Sequence, residues 1–173
     1  EYEDYLEKIS IAEKAAEYIK DGSVIMLDGS SSAFNLIPFI AKKQNVTVIT
    51  NGISALAELD KYGIKTICTG GTMLPSLRTL SGQDAVNTLE SYYADAAFFS
   101  CRGLNEKGEA TDFSVEENVV RKTMMARSDK KYLLCAAKKF GKTFYHKLCD
   151  VSSLDGVFSD KPLPKEIFDL IKN

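Results

Sequence analysis

The chain has 173 residues, with 22 Lys and Arg against 24 Asp and Glu, one His, a formal charge of −2, 45% hydrophobic and 27% charged residues. This balance excludes long disorder, which needs low hydrophobicity or high net charge. It also argues against broad electrostatic binding of nucleic acid by this chain. A spanning helix is excluded because no stretch approaches the roughly 20 consecutive apolar residues required. One domain is expected at this length, with a core that needs neither disulfide nor metal.

The opening Glu1-Tyr2-Glu3-Asp4 has neither Met nor the basic start of a secretory signal, so the chain reads as a piece of a longer, cytoplasmic protein. Tyr2, Tyr5, Ile9, Ala12, Ala16 and Ile19 recur at helical spacing, which predicts a helix over 2–20, stopped by Asp21-Gly22. Val24-Ile25-Met26-Leu27 is a continuous apolar run, as in a strand buried on both faces. A second helix is predicted near 31–43, with Pro38 as a kink or a late start. The strand 46–50, the helix 53–62 and the strand 64–68 follow, and Gly70-Gly71 breaks the chain. A helix near 82–91, a strand 96–100, a helix 115–127 and strands 132–136 and 156–158 come next, with Pro164 to Lys172 as a closing helix. Strands alternating with helices predict a three-layer α/β fold, a mainly parallel sheet with helices on both faces.

In such a sheet, ligands sit beyond the carboxyl ends of the strands. Those ends carry Asp28-Gly29-Ser30-Ser31-Ser32, Thr50-Asn51-Gly52, Thr69-Gly70-Gly71-Thr72 and Cys101-Arg102-Gly103, where small residues let backbone approach a ligand. Gly29 followed by three Ser is suited to cradle a phosphate at a helix start, and equally to cap that helix. Lys139, with Lys138 and Lys142 beside it, offers either a cation to that phosphate or a solvated basic turn. Gly70-Gly71 fits an anion or a plain turn, and Arg102 a ligand clamp or a surface residue. Asp112 with Glu116-Glu117 suits sugar hydroxyls in a pocket, or the favourable first turn of a helix. Gly141-Lys142-Thr143 fails as a Walker A loop because Ala136 stands where its first Gly belongs.

Cys68, Cys101, Cys135 and Cys149 contain no CxxC pair and are read as reduced thiols, the first three, at strand ends, as buried small apolar filler. His146 is the single histidine, which excludes a two-His metal site. No metal and no cofactor are expected. Phe34, Phe98, Phe99, Phe113 and Phe158 are assigned to the core.

Taken in order, these loops resemble the C-terminal sensor domain of DeoR-type transcriptional repressors, from about Lys8 to Asp160. The matching pieces are Ile9 to Ile19, Leu27 to Ser32, Val48 to Asn51, Gly70-Gly71, Ser81-Gly82, Asp95 to Gly103, Thr111-Asp112 with Glu117 and Arg121-Lys122, and Lys139-Phe140-Gly141. The resemblance implies a ribose-5-phosphate isomerase-like fold that binds a phosphorylated sugar and thereby controls an N-terminal winged helix-turn-helix. It places Gly29 to Ser32 and Lys139 at the phosphate. Asp28, Thr50, Asn51, Gly70, Gly71, Arg102, Gly103, Asp112 and Glu117 fall around the sugar. The chain departs from the family in Ala136-Ala137 for its usual Asp-Ser and in Lys138 for Ser. Residues 1–173 are thus expected to be one sensor domain, with 1–8 the end of a connecting helix and the helix-turn-helix absent. Operator DNA would be reached only through that missing domain, with no membrane partner and with self-association into a homo-oligomer. Two other functions compete. A sugar-phosphate isomerase needs a carboxylate base, and Cys101-Arg102-Gly103 stands where the isomerase keeps acids. A nucleotide-binding domain needs a GxGxxG or Walker A motif, and neither is present.

Overall fold

The computed structural model describes residues 2–171. Helix α1 (Tyr2–Ala16) precedes strand β1 (Val24–Leu27), two short helices, α2 (Ser31–Phe34) and α3 (Ile37–Ile40), and β2 (Thr47–Thr50). Then come α4 (Ile53–Lys61), β3 (Thr66–Cys68) and a hairpin of β4 (Thr72–Leu74) and β5 (Thr79–Ser81). The chain continues through α5 (Gln83–Glu90), β6 (Ala94–Ser100), β7 (Gly103–Leu104), β8 (Glu109–Asp112), α6 (Val115–Ala126) and β9 (Ser128–Leu134). A 3-10 turn at Ala137–Lys139, then β10 (His146–Asp150), β11 (Gly156–Phe158) and α7 (Lys165–Phe168) complete it.

Six strands form one sheet in the order β11-β9-β6-β1-β2-β3, and every pairing is parallel. The chain first grows the sheet outward from β1 to β3, then returns to the other side of β1 with β6. The switch point therefore lies between β1 and β6, and the crevice beyond their carboxyl ends is where such sheets hold ligands. Alternate residues of β1 face opposite layers: Ile25 and Leu27 pack with Ile11, Ala15, Leu36, Ile40 and Leu59, and Met26 packs with Leu89, Val120 and Met124. Helices α1 to α4 cover one face, α5 and α6 the other, so both faces are dry and the strands read as unbroken apolar runs.

All six predicted strands lie in this parallel sheet. Pro38 starts α3 anew rather than bending one long helix, because it has no N–H to donate inside a helix. Helix α1 ends at Ala16, short of the predicted residue 20. The closing helix is also shorter than expected; its predicted end at Lys172, like Glu1, lies outside the described residues. The hairpin β4–β5 and the antiparallel sheet β10-β8-β7 were not anticipated, since their strands are short and mix polar with apolar residues. Two core assignments need correction. Cys68 is exposed at the end of an edge strand, whereas Cys101, Cys135 and Cys149 are buried. Phe113 is 39% exposed, with its ring 4.4 Å beneath the Arg102 guanidinium.

Candidate functional site

A cavity of about 680 Å3 opens at the switch point. It is lined by the Gly29–Ser32 loop, Ser100 to Arg102, Asp112, Glu117, Arg121 and the lysines 138, 139 and 142. The hairpin residues Ser76, Leu77 and Arg78, together with Ser54 and Phe144, complete its wall.

The floor is a buried ionic network. Asp28 leaves the end of β1 and is 2% exposed. Its Oδ1 accepts from the Ser30 amide and hydroxyl, and its Oδ2 from the Ser100 amide at 3.0 Å and Arg121 Nε at 2.9 Å. Arg121 Nη1 also donates to Asp112 Oδ2 at 2.9 Å and Asn118 Oδ1 at 3.2 Å. Asp112 Oδ1 takes the Phe113 and Ser114 amides and lies 3.7 Å from Arg102 Nε. Glu117 stands 3.9 Å from Arg121 Nη2 and accepts from the Thr79 hydroxyl at 3.2 Å. Burial opposes the charge of Arg121, but Asp28, Glu117 and Asp112 together outweigh it and hold the guanidinium above its ordinary pKa. Glu117 differs: burial pushes its carboxyl above the ordinary glutamate range, against the pull of Arg121. Its loose contact with Arg121 leaves it the network acid with spare bonding capacity toward the cavity.

The cavity is also lined by cations, Arg78, Arg102 and lysines 138, 139 and 142. Lys139 Nζ reaches the Cys101 carbonyl at 2.8 Å and the Ser100 hydroxyl at 3.3 Å, which pins it at the end of β6. Ser30 serves as the cap of α2, its hydroxyl accepting from the Ala33 amide at 3.1 Å. The first-turn amides of Ser31 and Ser32 are left without intrahelical partners. Gly29 is required by packing, because a Cβ there would overlap the Thr79 methyl and lie 3.3 Å from Gly52 Cα.

Of the residues singled out from sequence, Gly29, Ser30, Ser31, Ser32, Arg102, Asp112, Glu117 and Lys139 line the cavity together. Asp28 lies beneath it. Thr50 and Asn51 do not line it: the Thr50 hydroxyl accepts from the Gly52 amide, and Asn51 Nδ2 donates to the Leu80 carbonyl at 2.8 Å, clamping the hairpin over β2. Gly70 and Gly71 lie in the turn between β3 and β4, where Gly71 packs on the Ser81 carbonyl and the Ala85 side chain. Gly103 lets the Lys142 backbone pack on β7, since a Cβ there would meet the Lys142 carbonyl. Arg121, the keystone of the floor, carried no assigned role from sequence. The available signals were the Arg121-Lys122 piece of the resemblance and its place on the buried stripe of α6 with Glu117, Val120 and Met124. Among the described residues, no cluster of three or more His, Cys, Asp or Glu is arranged to hold a metal, and no helix is long and apolar enough to cross a membrane.

The fold and site define an open parallel α/β domain with a mixed-charge cavity at its switch point. The chain belongs to the DeoR C-terminal sensor domain family, whose model matches residues 3–161. It is 30% identical over 164 residues to the HTH-type transcriptional regulator YulB of Bacillus subtilis, covering 94% of this chain and 63% of that protein. It is 30% identical over 161 residues to the L-fucose operon activator of Haemophilus influenzae, covering 92% and 64%. It is 31% identical over 166 residues to the HTH-type transcriptional repressor GlcR of Bacillus subtilis, covering 94% and 62%. The chain thus spans less than two thirds of the length of these relatives. Among solved structures, ribose 5-phosphate isomerase A of Methanocaldococcus jannaschii superposes with a TM-score of 0.58 at 19% identity, over 77% of this chain and 53% of that one. The eIF2B delta subunit of Chaetomium thermophilum gives 0.67 at 16% identity, over 92% and 57%. At these identities the likeness is one of fold. These relatives are named as regulators of transcription.

Proposed function

We propose that this chain is the effector-sensing part of a bacterial transcriptional repressor of sugar metabolism. It binds a phosphorylated sugar and sets the affinity for operator DNA of a DNA-binding domain outside the 173 residues. The observation that carries this reading is the charge division of the cavity in a chain of net charge −2: Arg78, Arg102 and lysines 138, 139 and 142 along its walls, Asp112 and Glu117 on its floor. A phosphate beside Lys139 and the Ser31 and Ser32 amides gains charge-assisted hydrogen bonds. Sugar hydroxyls are donors that the Glu117 carboxyl can take up. Relatives named for an L-fucose operon and an aga operon fit a carbohydrate effector. Such an effector acts by binding one arrangement of the loops better than another, so its leverage on DNA equals that difference in affinity. The setting is the cytoplasm, and the working unit a homo-oligomer.

The experiment is a thermal-shift panel of sugar phosphates against the parent sugars. An effector at 100 times its Kd stabilises by about 2.7 kcal/mol, which raises Tm by roughly 5–11 °C for a chain of this size. Lys139→Glu and Ser31→Glu should each abolish that rise while leaving the Tm of the free protein within a few degrees. A panel with no responding phosphate, or a rise retained in both variants, overturns the assignment. A second reading has one observation in its favour: Glu117 lines the cavity and burial raises its carboxyl pKa, which would suit a general base for isomerisation. Turnover of ribose 5-phosphate that disappears in Glu117→Gln would establish it.

A further inference from the structure

Lys138 belongs to two places at once. It lines the cavity beside Lys139, yet its ammonium is hydrogen-bonded to Asp4 Oδ1 at 2.5 Å and lies 3.6 Å from Glu7 Oε2, both on α1. The backbone that carries it is fixed: the Ala137 amide donates to Asp160 Oδ1 at 2.8 Å and the Lys139 amide to the Ala136 carbonyl at 2.9 Å. Only the four-carbon stem of Lys138 is free to redirect the charge. On the other side, α1 is anchored unevenly. Ile11, Ala12, Ala15 and Ala16 are buried, whereas Tyr2, Tyr5 and Leu6 are 73%, 54% and 47% exposed. The apolar contacts thus hold the second half of α1, and the ion pairs to Lys138 hold the first.

We propose that Lys138 is a second anion ligand of the cavity, held in reserve by Asp4 and Glu7, so that a phosphate arriving beside Lys139 competes with α1 for this cation. The proposal rests on the reading of the cavity as a phosphate site and adds the route by which occupancy is felt at α1. Two further features support it. Glu7 Oε2 is buried and has no hydrogen-bond partner among the described residues, so its tie to Lys138 is a loose electrostatic one. Lys8, Lys138 and Lys139 lie close enough that burial, then Lys138, then Lys139 depress the Lys8 ammonium. A cluster of like charges restrained by one exposed and one half-buried acid is one that an incoming dianion can rearrange. Both ion pairs are partly exposed, so the energy holding Lys138 to α1 is small and a ligand can overcome it.

The test uses inorganic phosphate as the probe, by calorimetric titration at low ionic strength and by hydrogen exchange of residues 2–10. Asp4→Asn with Glu7→Gln releases Lys138 and should tighten phosphate binding roughly two- to five-fold, the range set by exposed ion pairs. Lys138→Gln should weaken binding and cancel that gain when combined with the double substitution. Phosphate should speed exchange in the first turns of α1 in the parent protein and leave it unchanged in Lys138→Gln. Asp4 is exposed and Glu7 and Lys138 are partly exposed, and matching thermal melts verify that each variant is folded. If binding depends on Lys139 but ignores Asp4, Glu7 and Lys138, the competition is refuted and the phosphate site stands. If phosphate does not bind, and Lys139→Gln changes nothing, both fall.

Discussion

Replacing Arg121 with Met removes the buried cation that joins Asp28, Asp112 and Glu117 while keeping a long, flexible apolar side chain. The loss can be worked from its contacts. Two carboxylates, Asp28 and Asp112, each lose a hydrogen bond of 2.9 Å, and the side chains involved are only 2–7% exposed. Removing one member of such a buried set typically costs about 3–5 kcal/mol, because the remaining charges stay buried without compensation. For a domain of this length each kcal/mol lowers Tm by roughly 2–4 °C, so the expected drop is roughly 6–20 °C. Urea titration measures it: the midpoint should fall while the slope holds, which marks a change in stability rather than in compactness. Adding Asp112→Asn should recover part of the loss, because it removes one of the stranded charges while Asn can still accept from the Phe113 and Ser114 amides. A loss below about 1 kcal/mol, the scale of an exposed pair, would refute the network as a structural element. So would strict additivity of the two substitutions, since groups in one network couple.

Glu117→Gln should stabilise the ligand-free protein at neutral pH. Burial raises the folded-state pKa of Glu117 above the unfolded value, so its contribution is fully present at low pH and is lost as pH rises through the raised pKa. The gain from Gln should therefore fade as pH falls toward 4.5, and a gain independent of pH in matched melts would contradict the assignment. Gly29→Ala should cost about 1–3 kcal/mol by overpacking, through overlap with the Thr79 methyl. Thr79→Ser removes that methyl and keeps the hydroxyl for Glu117, so the double variant should be more stable than Gly29→Ala alone in chemical denaturation. A double variant that is no better would locate the strain elsewhere.

The strands of the main sheet were legible because burial on both faces leaves a local mark, as in Val24 to Leu27 and Ala96 to Ser100. That the Gly29–Ser32 loop would line a cavity was legible for a similar reason, since a glycine and hydroxyls at a strand end are an uncommon local pattern, whereas Lys139 read equally as a solvated turn until the fold brought it to the end of β6. Thr50, Asn51, Gly70, Gly71 and Gly103 occur at strand ends too, but serve hairpin clamping and close backbone packing, which look the same in sequence. Arg121 was hidden by the opposite circumstance. A lone Arg within an amphipathic helix is normally solvated, and only its neighbours decide otherwise.

The sequence by itself determined the α/β class, the identity of the six parallel strands and the family, because hydrophobic periodicity and loop chemistry act over a few residues at a time. Tertiary structure alone decided that β1 and β6 are neighbours, which brings the Asp28 carboxylate to the Ser100 amide. It also joined Arg121 to Asp28 across 93 positions, and Lys138 to Asp4 across 134. Charged residues of each type are abundant in any soluble chain, and their spacing carries no record of which will be buried together. Chain length and a charge of −2 gave no hint of the cations that line the cavity; that cluster exists only once the sheet has gathered its loops at one end.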